Sequence, residues 1–187
     1  LGYNKETMAC LFIPETYQVY WDMSVEDFFK RMRKEHQRFW NQKRLDQAKA
    51  IGMTPEEVCT LASIVEEETN NNPEKPMVAG LYINRLHAGM PLQADPTVKF
   101  ALQDFGLRRI TNEHLTIDSP YNTYRNPSLP PGPIRIPSPV GLDAVLNHAK
   151  HNYIYMCAKE DFSGTHNFAS NYADHMKNAR KYWKALN

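Results

Sequence analysis

Apolar residues return at helical spacing through most of this chain, and glycines, prolines and short polar caps divide the pattern into elements. In SVEDFFKRMRKEHQRFW, Val25, Phe28, Phe29, Met32 and Phe39 follow the helical period behind Ser24, an N-cap with acids in the turn after it. This predicts a helix whose apolar face joins the core. A second helical stretch, Arg44 to Ile51, stops at Gly52. TPEE then restarts the chain with Thr54 as N-cap, Pro55 at the first helical position and Glu57 closing a capping box. MVAGLYINRLHAG sets Val78, Leu81, Tyr82 and Leu86 on one side and ends at Gly89, and ADPTVKFALQDFG reads as a short helix capped by Asp95 with Pro96 behind it. SPVGLDAVLNHAK and SNYADHMKNARKYWKAL complete the helical set.

Three stretches break the period. Residues 1–23 mix β-branched and aromatic residues around Pro14 and predict extended chain. Between Ser119 and Pro139 stand seven prolines, too many for a helix or a central strand, so this run is extended or turning chain. NYIYMCA and THNFA flank a turn at Gly164 and predict a β-hairpin. The expected fold class is α+β, a mainly helical domain with a small antiparallel sheet.

Composition narrows the function. The chain has 187 residues, 42% of them hydrophobic, which suits one domain of ordinary size. Lys and Arg number 22 against 21 Asp and Glu, so there is no basic field of the kind that holds nucleic acid. Cys10, Cys59 and Cys157 are too few and too far apart for a disulfide framework or a zinc knuckle, and are expected to be small buried residues. No run approaches the roughly 20 apolar residues of a membrane span. Because the chain opens at Leu1 without an initiator Met, it is expected to be a fragment with any targeting segment upstream.

The candidate chemistry lies in LASIVEEETNN. At about 100° per residue from Val58, the positions Leu61, Ala62 and Val65 form an apolar stripe and Glu67 points away from it. Glu66 falls at about 80°, beside Ala62, and Glu68 at about 280°, between Leu61 and Ile64. Two carboxyl groups are thus carried toward apolar surroundings. Partial removal from water raises a carboxyl pKa toward the range where it donates a proton near neutrality, as cleavage of a glycosidic bond requires. The alternative is that one or both simply pair with Arg85 or a lysine.

LASIVEEET, VAGLYINRLHAGMPLQADPTV, YNTY, LPPGPI and HNFASNYADH, in that order, resemble the motif set of the YceG-like family, the endolytic murein transglycosylases. The resemblance runs from Leu11 to His175. It implies lytic cleavage of the MurNAc to GlcNAc bond of peptidoglycan, with Glu66 as the catalytic acid and then base, Glu68 in support and Glu67 without a chemical duty. The C6 hydroxyl of the MurNAc ring would be the nucleophile, closing a 1,6-anhydro bridge, so that one carboxyl serves twice without metal or cofactor. Retention of the cleft without turnover, as a glycan-binding module, and ordinary hydrolysis by a muramidase are the alternatives.

The same resemblance implies residues 1–22 as the tail of an upstream LysM-like module or a connecting strand, and 23–187 as the catalytic domain. It further implies a place outside the cytoplasm, attachment to the cytoplasmic membrane only through an upstream segment, and wall-synthesis enzymes as partners. Asp95 is expected either to steady positive charge in the transition state or to cap its helix, or both. Gln93 and Thr97 flank it and are expected to bond sugar hydroxyls. Asn84 and Arg85, on the helix after the glutamates, are expected to bind substrate, Arg85 holding the muramyl lactyl group or a stem peptide, with a structural ion pair to Glu68 as the alternative. Tyr121, Asn122, Thr123 and Tyr124 are expected to wall the cleft on rigid proline-rich chain, and His166 and Asn167, matching the family's H-x-F element, to line it. His148 and His151 lack the further ligands a zinc site needs, so no metal is expected.

Overall fold

The computed structural model describes residues 2–107 and 109–186. Seven α-helices and one two-stranded sheet make up its regular structure, a mainly helical α+β arrangement among the described residues. Cap chemistry sets where most of the helices begin. Ser24 accepts from the Asp27 N–H at the start of α1, Val25–Phe39, and Asn41 accepts from the Arg44 N–H to start α2, Gln42–Ala50, two residues before its expected beginning. Helix α3, Pro55–Glu68, carries the predicted capping box in both directions: the Glu57 N–H to Thr54 Oγ1 at 3.2 Å, and the Thr54 N–H to Glu57 Oε2 at 2.8 Å. Helix α4 spans Lys75–His87 and gives way to Gly89 at φ +65°, a left-handed backbone that glycine adopts without strain. Helix α5 spans Asp95–Leu102, α6 spans Pro139–Leu146 behind the Ser138 cap, and α7 spans Tyr172–Leu186. Strands β1, Tyr155–Ala158, and β2, His166–Ala169, pair antiparallel with Tyr155 opposite Ala169 and Ala158 opposite His166.

Helix α3 is the centre of the molecule. Every residue from Val58 to Glu66 is buried, because α4, α5, α6, α2 and a 3₁₀ turn at Met8–Leu11 pack around it. The apolar stripe predicted for one face is therefore only part of a helix covered on nearly all sides. Its polar residues are satisfied locally, Thr60 Oγ1 donating to the Glu56 carbonyl at 2.8 Å and Ser63 Oγ to that of Thr60 at 2.7 Å. Ser63 Oγ also accepts the Ile134 N–H at 3.0 Å, which docks the proline-rich run on α3. That run forms no regular element from Ser119 to the Ser138 cap, as its prolines require.

Two expectations fail at the N-terminal side. Residues before α1 are not simply extended: the 3₁₀ turn buries Cys10 and Leu11, and Ile13 follows them into the core. Helix α1 buries only Met32, leaving Val25 73% and Phe28 37% exposed, because its neighbour is the irregular N-terminal segment, where Phe12 meets Phe28 and Phe29. Cys10 and Cys59 are buried and Cys157 is half-buried, all three as free thiols. No helix among the described residues is long and apolar enough to cross a membrane.

Candidate active site

The last turn of α3 sends its three glutamates into three environments. Glu67 is exposed, as its angle predicts, and pairs with Arg135 at 2.7 Å. Glu66 is 7% exposed and sits in a closed polar socket built by α4 and the start of α6. Its Oε1 accepts from the Ser138 hydroxyl and faces Lys75 Nζ at 3.5 Å. Oε2 accepts the Ser138 N–H at 3.2 Å and lies 3.8 Å from Arg135 Nε. Gly141 of α6 packs so closely on this carboxyl that a Cβ there would collide with it. Both oxygens of this buried carboxyl are thus engaged by donors, with a buried lysine beside them.

Glu68 faces the other way, into the floor of an open cleft of about 390 Å³ between α3, α4, the loop before α5, the hairpin and the start of α7. Glu66 is absent from the lining of that cleft. The Tyr82 hydroxyl donates to Glu68 Oε1 at 2.6 Å. Burial pushes the Glu68 carboxyl from its ordinary 4.5 up to about 7; the Tyr82 hydrogen bond and nearby His166 oppose the rise, and the charges of Asp95 and Glu67 add to it. Burial and the adjacent Glu68 hold the Tyr82 phenol well above its ordinary range, so it remains a donor. A carboxyl group that keeps its proton near neutrality, at the base of a cleft, is equipped for general acid catalysis.

Around Glu68 the cleft brings together five of the other residues singled out in the sequence: Arg85, Gln93, Asp95, Tyr124 and His166. Asp95 is the first residue of α5 and does not cap it; Ala94 holds the N-cap position, and no side chain caps the helix. Its Oδ1 instead accepts from the Tyr124 hydroxyl at 2.5 Å, and burial together with Asp95 raises the Tyr124 pKa. Arg85 makes no ion pair among the described residues. Its guanidinium donates to the carbonyls of Ile154 at 2.7 Å and Leu92 at 2.8 Å, tying α4 to the hairpin and to the loop before α5. Burial lowers its pKa. Gln93 accepts from Arg85 Nη1 at 3.3 Å and holds a left-handed backbone, φ +53°, unusual for a residue with a side chain and placed at the cleft wall. His166 is fixed by buried Glu74, whose Oε1 accepts its N–H at 2.7 Å while Oε2 contacts Nδ1 at 3.0 Å.

The remaining expected residues build the scaffold. Asn84 donates to the carbonyls of His151 at 2.8 Å and Tyr153 at 3.0 Å. Thr97 and Thr123 are 0% exposed and share a 2.8 Å hydroxyl contact, with the Ala94 N–H also bonded to Thr123 Oγ1. Asn122, equally buried, donates to the carbonyls of Leu115 and Ile117, both at 2.9 Å. Tyr121 packs on Phe100, ring centres 4.7 Å apart, and Asn167 donates to Glu160. Of the YNTY motif, only Tyr124 reaches the cleft. His151 contacts the Met77 carbonyl and packs on Gly80, and no metal-binding cluster of His, Cys, Asp and Glu occurs among the described residues.

The opposite wall escaped the sequence reading. Tyr155 stacks on His175 at 5.2 Å and meets Tyr172 edge-on at 6.0 Å, giving an aromatic surface suited to sugar faces. Burial and Arg85 lower the His175 pKa. Tyr82 was legible only as one of the apolar positions of α4. HNFASNYADH carries Tyr172 and His175 in its second half, the available signal for that wall.

A helical domain with a proton-holding carboxyl at the base of a cleft, Glu68, and a second carboxyl, Asp95, in its wall defines a class of candidate acid catalysts. Its family is shown by comparison with known sequences: the chain belongs to the YceG-like family, whose model matches residues 2–181. It is 34% identical over 166 residues to the endolytic murein transglycosylase of Bacillus subtilis (strain 168), covering 89% of this chain and 45% of that protein. The endolytic murein transglycosylase of Streptococcus pneumoniae serotype 2 is 33% identical over 138 residues, 72% of this chain and 25% of that protein. The chain thus spans less than half the length of these relatives. A crystal structure of a YceG-like protein from Listeria monocytogenes superposes with a TM-score of 0.78 at 34% identity, covering 93% of this chain and 57% of that one.

Proposed function

We propose that this chain is the catalytic domain of a lytic transglycosylase that cuts peptidoglycan strands internally, with Glu68, in place of the expected Glu66, as the proton carrier. The observation that carries this is the place of Glu68 in the lining of the cleft under the Tyr82 hydroxyl, against the closed socket that holds Glu66; the upward push of burial on the Glu68 carboxyl supports it. The names of the relatives supply the reaction class.

In this scheme Glu68 gives its proton to the glycosidic oxygen between MurNAc and GlcNAc as the C1–O bond breaks. The C6 hydroxyl of the same MurNAc ring adds to C1, and the resulting carboxylate takes up the hydroxyl proton, which restores Glu68. Because the nucleophile is tethered to the reacting carbon, the step gains the high effective concentration of an intramolecular reaction and needs no activated water. Tyr82 holds the carboxyl in place and supports its charged form midway through the cycle. The Asp95 carboxylate, oriented by Tyr124, faces the positive charge that develops on the sugar. Tyr155, Tyr172 and His175 offer a flat wall for the rings.

Digestion of peptidoglycan followed by mass spectrometry tests the proposal: soluble products ending in 1,6-anhydro-MurNAc are expected. A second reading rests on Asp95, a further carboxyl in the same cleft that would complete the pair used by hydrolases; reducing ends would establish it. Binding without release would indicate a glycan-binding module. Location outside the cytoplasm, a membrane anchor beyond this chain and partnership with wall-synthesis enzymes belong to the same proposal.

A further inference from the structure

His166, the first residue of β2, lines the cleft with Glu68 and sets its ring against Glu74, the residue before α4, which is 9% exposed. Glu74 Oε1 accepts the His166 backbone N–H at 2.7 Å. That bond alone is enough to clasp the hairpin to α4. The other oxygen makes a contact the clasp does not need: Oε2 lies 3.0 Å from Nδ1 of the ring, and no lysine or arginine pairs with Glu74 among the described residues. A carboxylate only accepts, so Nδ1 carries a proton, and in the neutral ring Nε2 keeps its lone pair. Nε2 has no hydrogen-bond partner among the described residues. An imidazole oriented by a buried carboxylate is the arrangement that draws a proton from a nucleophilic hydroxyl, and here the chain provides every part except the hydroxyl.

The substrate supplies that hydroxyl. In the reaction proposed above, the C6 hydroxyl closes on C1, the atom the glycosidic oxygen leaves, so its proton is released within one sugar ring of Glu68. Glu68 is badly placed to catch it in the same motion. Tyr82 donates to Oε1, so the Glu68 proton sits on Oε2, and that oxygen is giving it to the leaving group. The other polar groups of the cleft are engaged: Asp95 holds the Tyr124 hydroxyl, Arg85 is spent on backbone carbonyls, and His175 is stacked on Tyr155 with Nδ1 buried. Resting on the reading of Glu68 as the acid, we infer that His166 Nε2 is the first acceptor of the C6 hydroxyl proton and that Glu74 is its positioning residue. As O6 bonds to C1, the O6–H bond breaks toward Nε2, and the C1–O bond breaks as the leaving oxygen takes the proton of Glu68. The ring is then an imidazolium facing two carboxylates, Glu74 and Glu68. It gives its Nε2 proton to Glu68, which restores both groups with no proton gained or lost. His166 is close enough for its charge to bear on Glu68, where it opposes the rise caused by burial.

Glu74→Gln tests the pair with little change of shape. Its side-chain oxygen keeps the His166 backbone N–H, and with it the clasp, while its amide N–H meets Nδ1 and moves the ring proton to Nε2. Nitrogen NMR of histidine-labelled protein should find the His166 ring in the Nδ1–H form in wild type, at the pH of full activity, and in the Nε2–H form in the variant. With soluble peptidoglycan strands, kcat per folded protein should fall at least about a hundredfold in Glu74→Gln and in His166→Gln, which also keeps the clasp, while KM stays within about twofold. A wild-type ring protonated at Nε2 at that pH would overturn the inference, and so would kcat close to wild type in either variant. Loss of kcat in these two variants beside a fully active Glu68→Gln would count against Glu68 alone, and the converse pattern against His166 alone.

Discussion

Tyr82 reaches from α4 to α3 and donates a 2.6 Å hydrogen bond to Glu68, a carboxyl with no ion-pair partner among the described residues. Two residues earlier, Glu66 is engaged on both oxygens and has buried Lys75 beside it. One turn of helix therefore holds a carboxyl group closed in by donors on both oxygens and another whose pKa burial pushes up to about 7.

The Tyr82 bond favours the charged form of Glu68. Tyr82→Phe should raise the Glu68 pKa further and move the alkaline fall in kcat toward higher pH, at a stability cost of about 1 kcal/mol. A pH–rate profile of the variant checks this; a limb displaced toward lower pH would contradict it.

Glu68 also links stability to pH. The folded chain binds its proton near pH 7 and the unfolded chain near 4.5, so the folded state holds the proton more tightly. Below pH 4.5 both states are protonated and burial carries no penalty. Stability falls as pH rises from 4.5 to 7, and above 7 a constant cost of at most about 3 kcal/mol remains. Glu68→Gln should therefore stabilise the protein at pH 8 and not at pH 4. Denaturant unfolding of both proteins at the two values checks it, and an equal difference at both would count against the assignment.

Asn122 and Tyr124 separate scaffold from site within one motif. Asn122→Ala removes the two bonds that this buried side chain makes to backbone carbonyls and the acceptor of the Tyr124 N–H, and should cost about 2–3 kcal/mol. Tyr124→Phe should change stability far less and lower turnover, by freeing Asp95. Melting temperatures and product yields of the two variants, measured together, distinguish these effects.

The helices were legible because their ends are local: the Thr54 and Glu57 box, the Ser24 and Ser138 caps and Gly89 each act within a few residues. Angle alone likewise set Glu67 apart from its neighbours. It had no means of separating Glu66 from Glu68, because the socket around Glu66 is made by Lys75, Arg135, Ser138 and Gly141, and the cleft beside Glu68 by residues up to His175. Asp95 followed by proline has the local form of a cap, yet its carboxylate turns to Tyr124, 29 residues away. Arg85 looked like an ion-pair partner until the loop carbonyls of Pro91 and Leu92 and that of Ile154 were in place. The polar members of YNTY resemble sugar-binding groups in isolation; burial commits Asn122 and Thr123 to the backbone they hold.

Parallel digestion of peptidoglycan by Glu68→Gln and Glu66→Gln, with products analysed by mass spectrometry and each variant melted alongside wild type, tests the choice of proton carrier most directly. Glu68→Gln should release no anhydro-ended muropeptides and melt no lower than wild type at pH 8. Glu66→Gln should melt lower, having left Lys75 without its buried partner, and still release those products in proportion to the folded fraction. Full product yield from Glu68→Gln, or none from a Glu66→Gln variant that melts like wild type, would return the chemistry to Glu66.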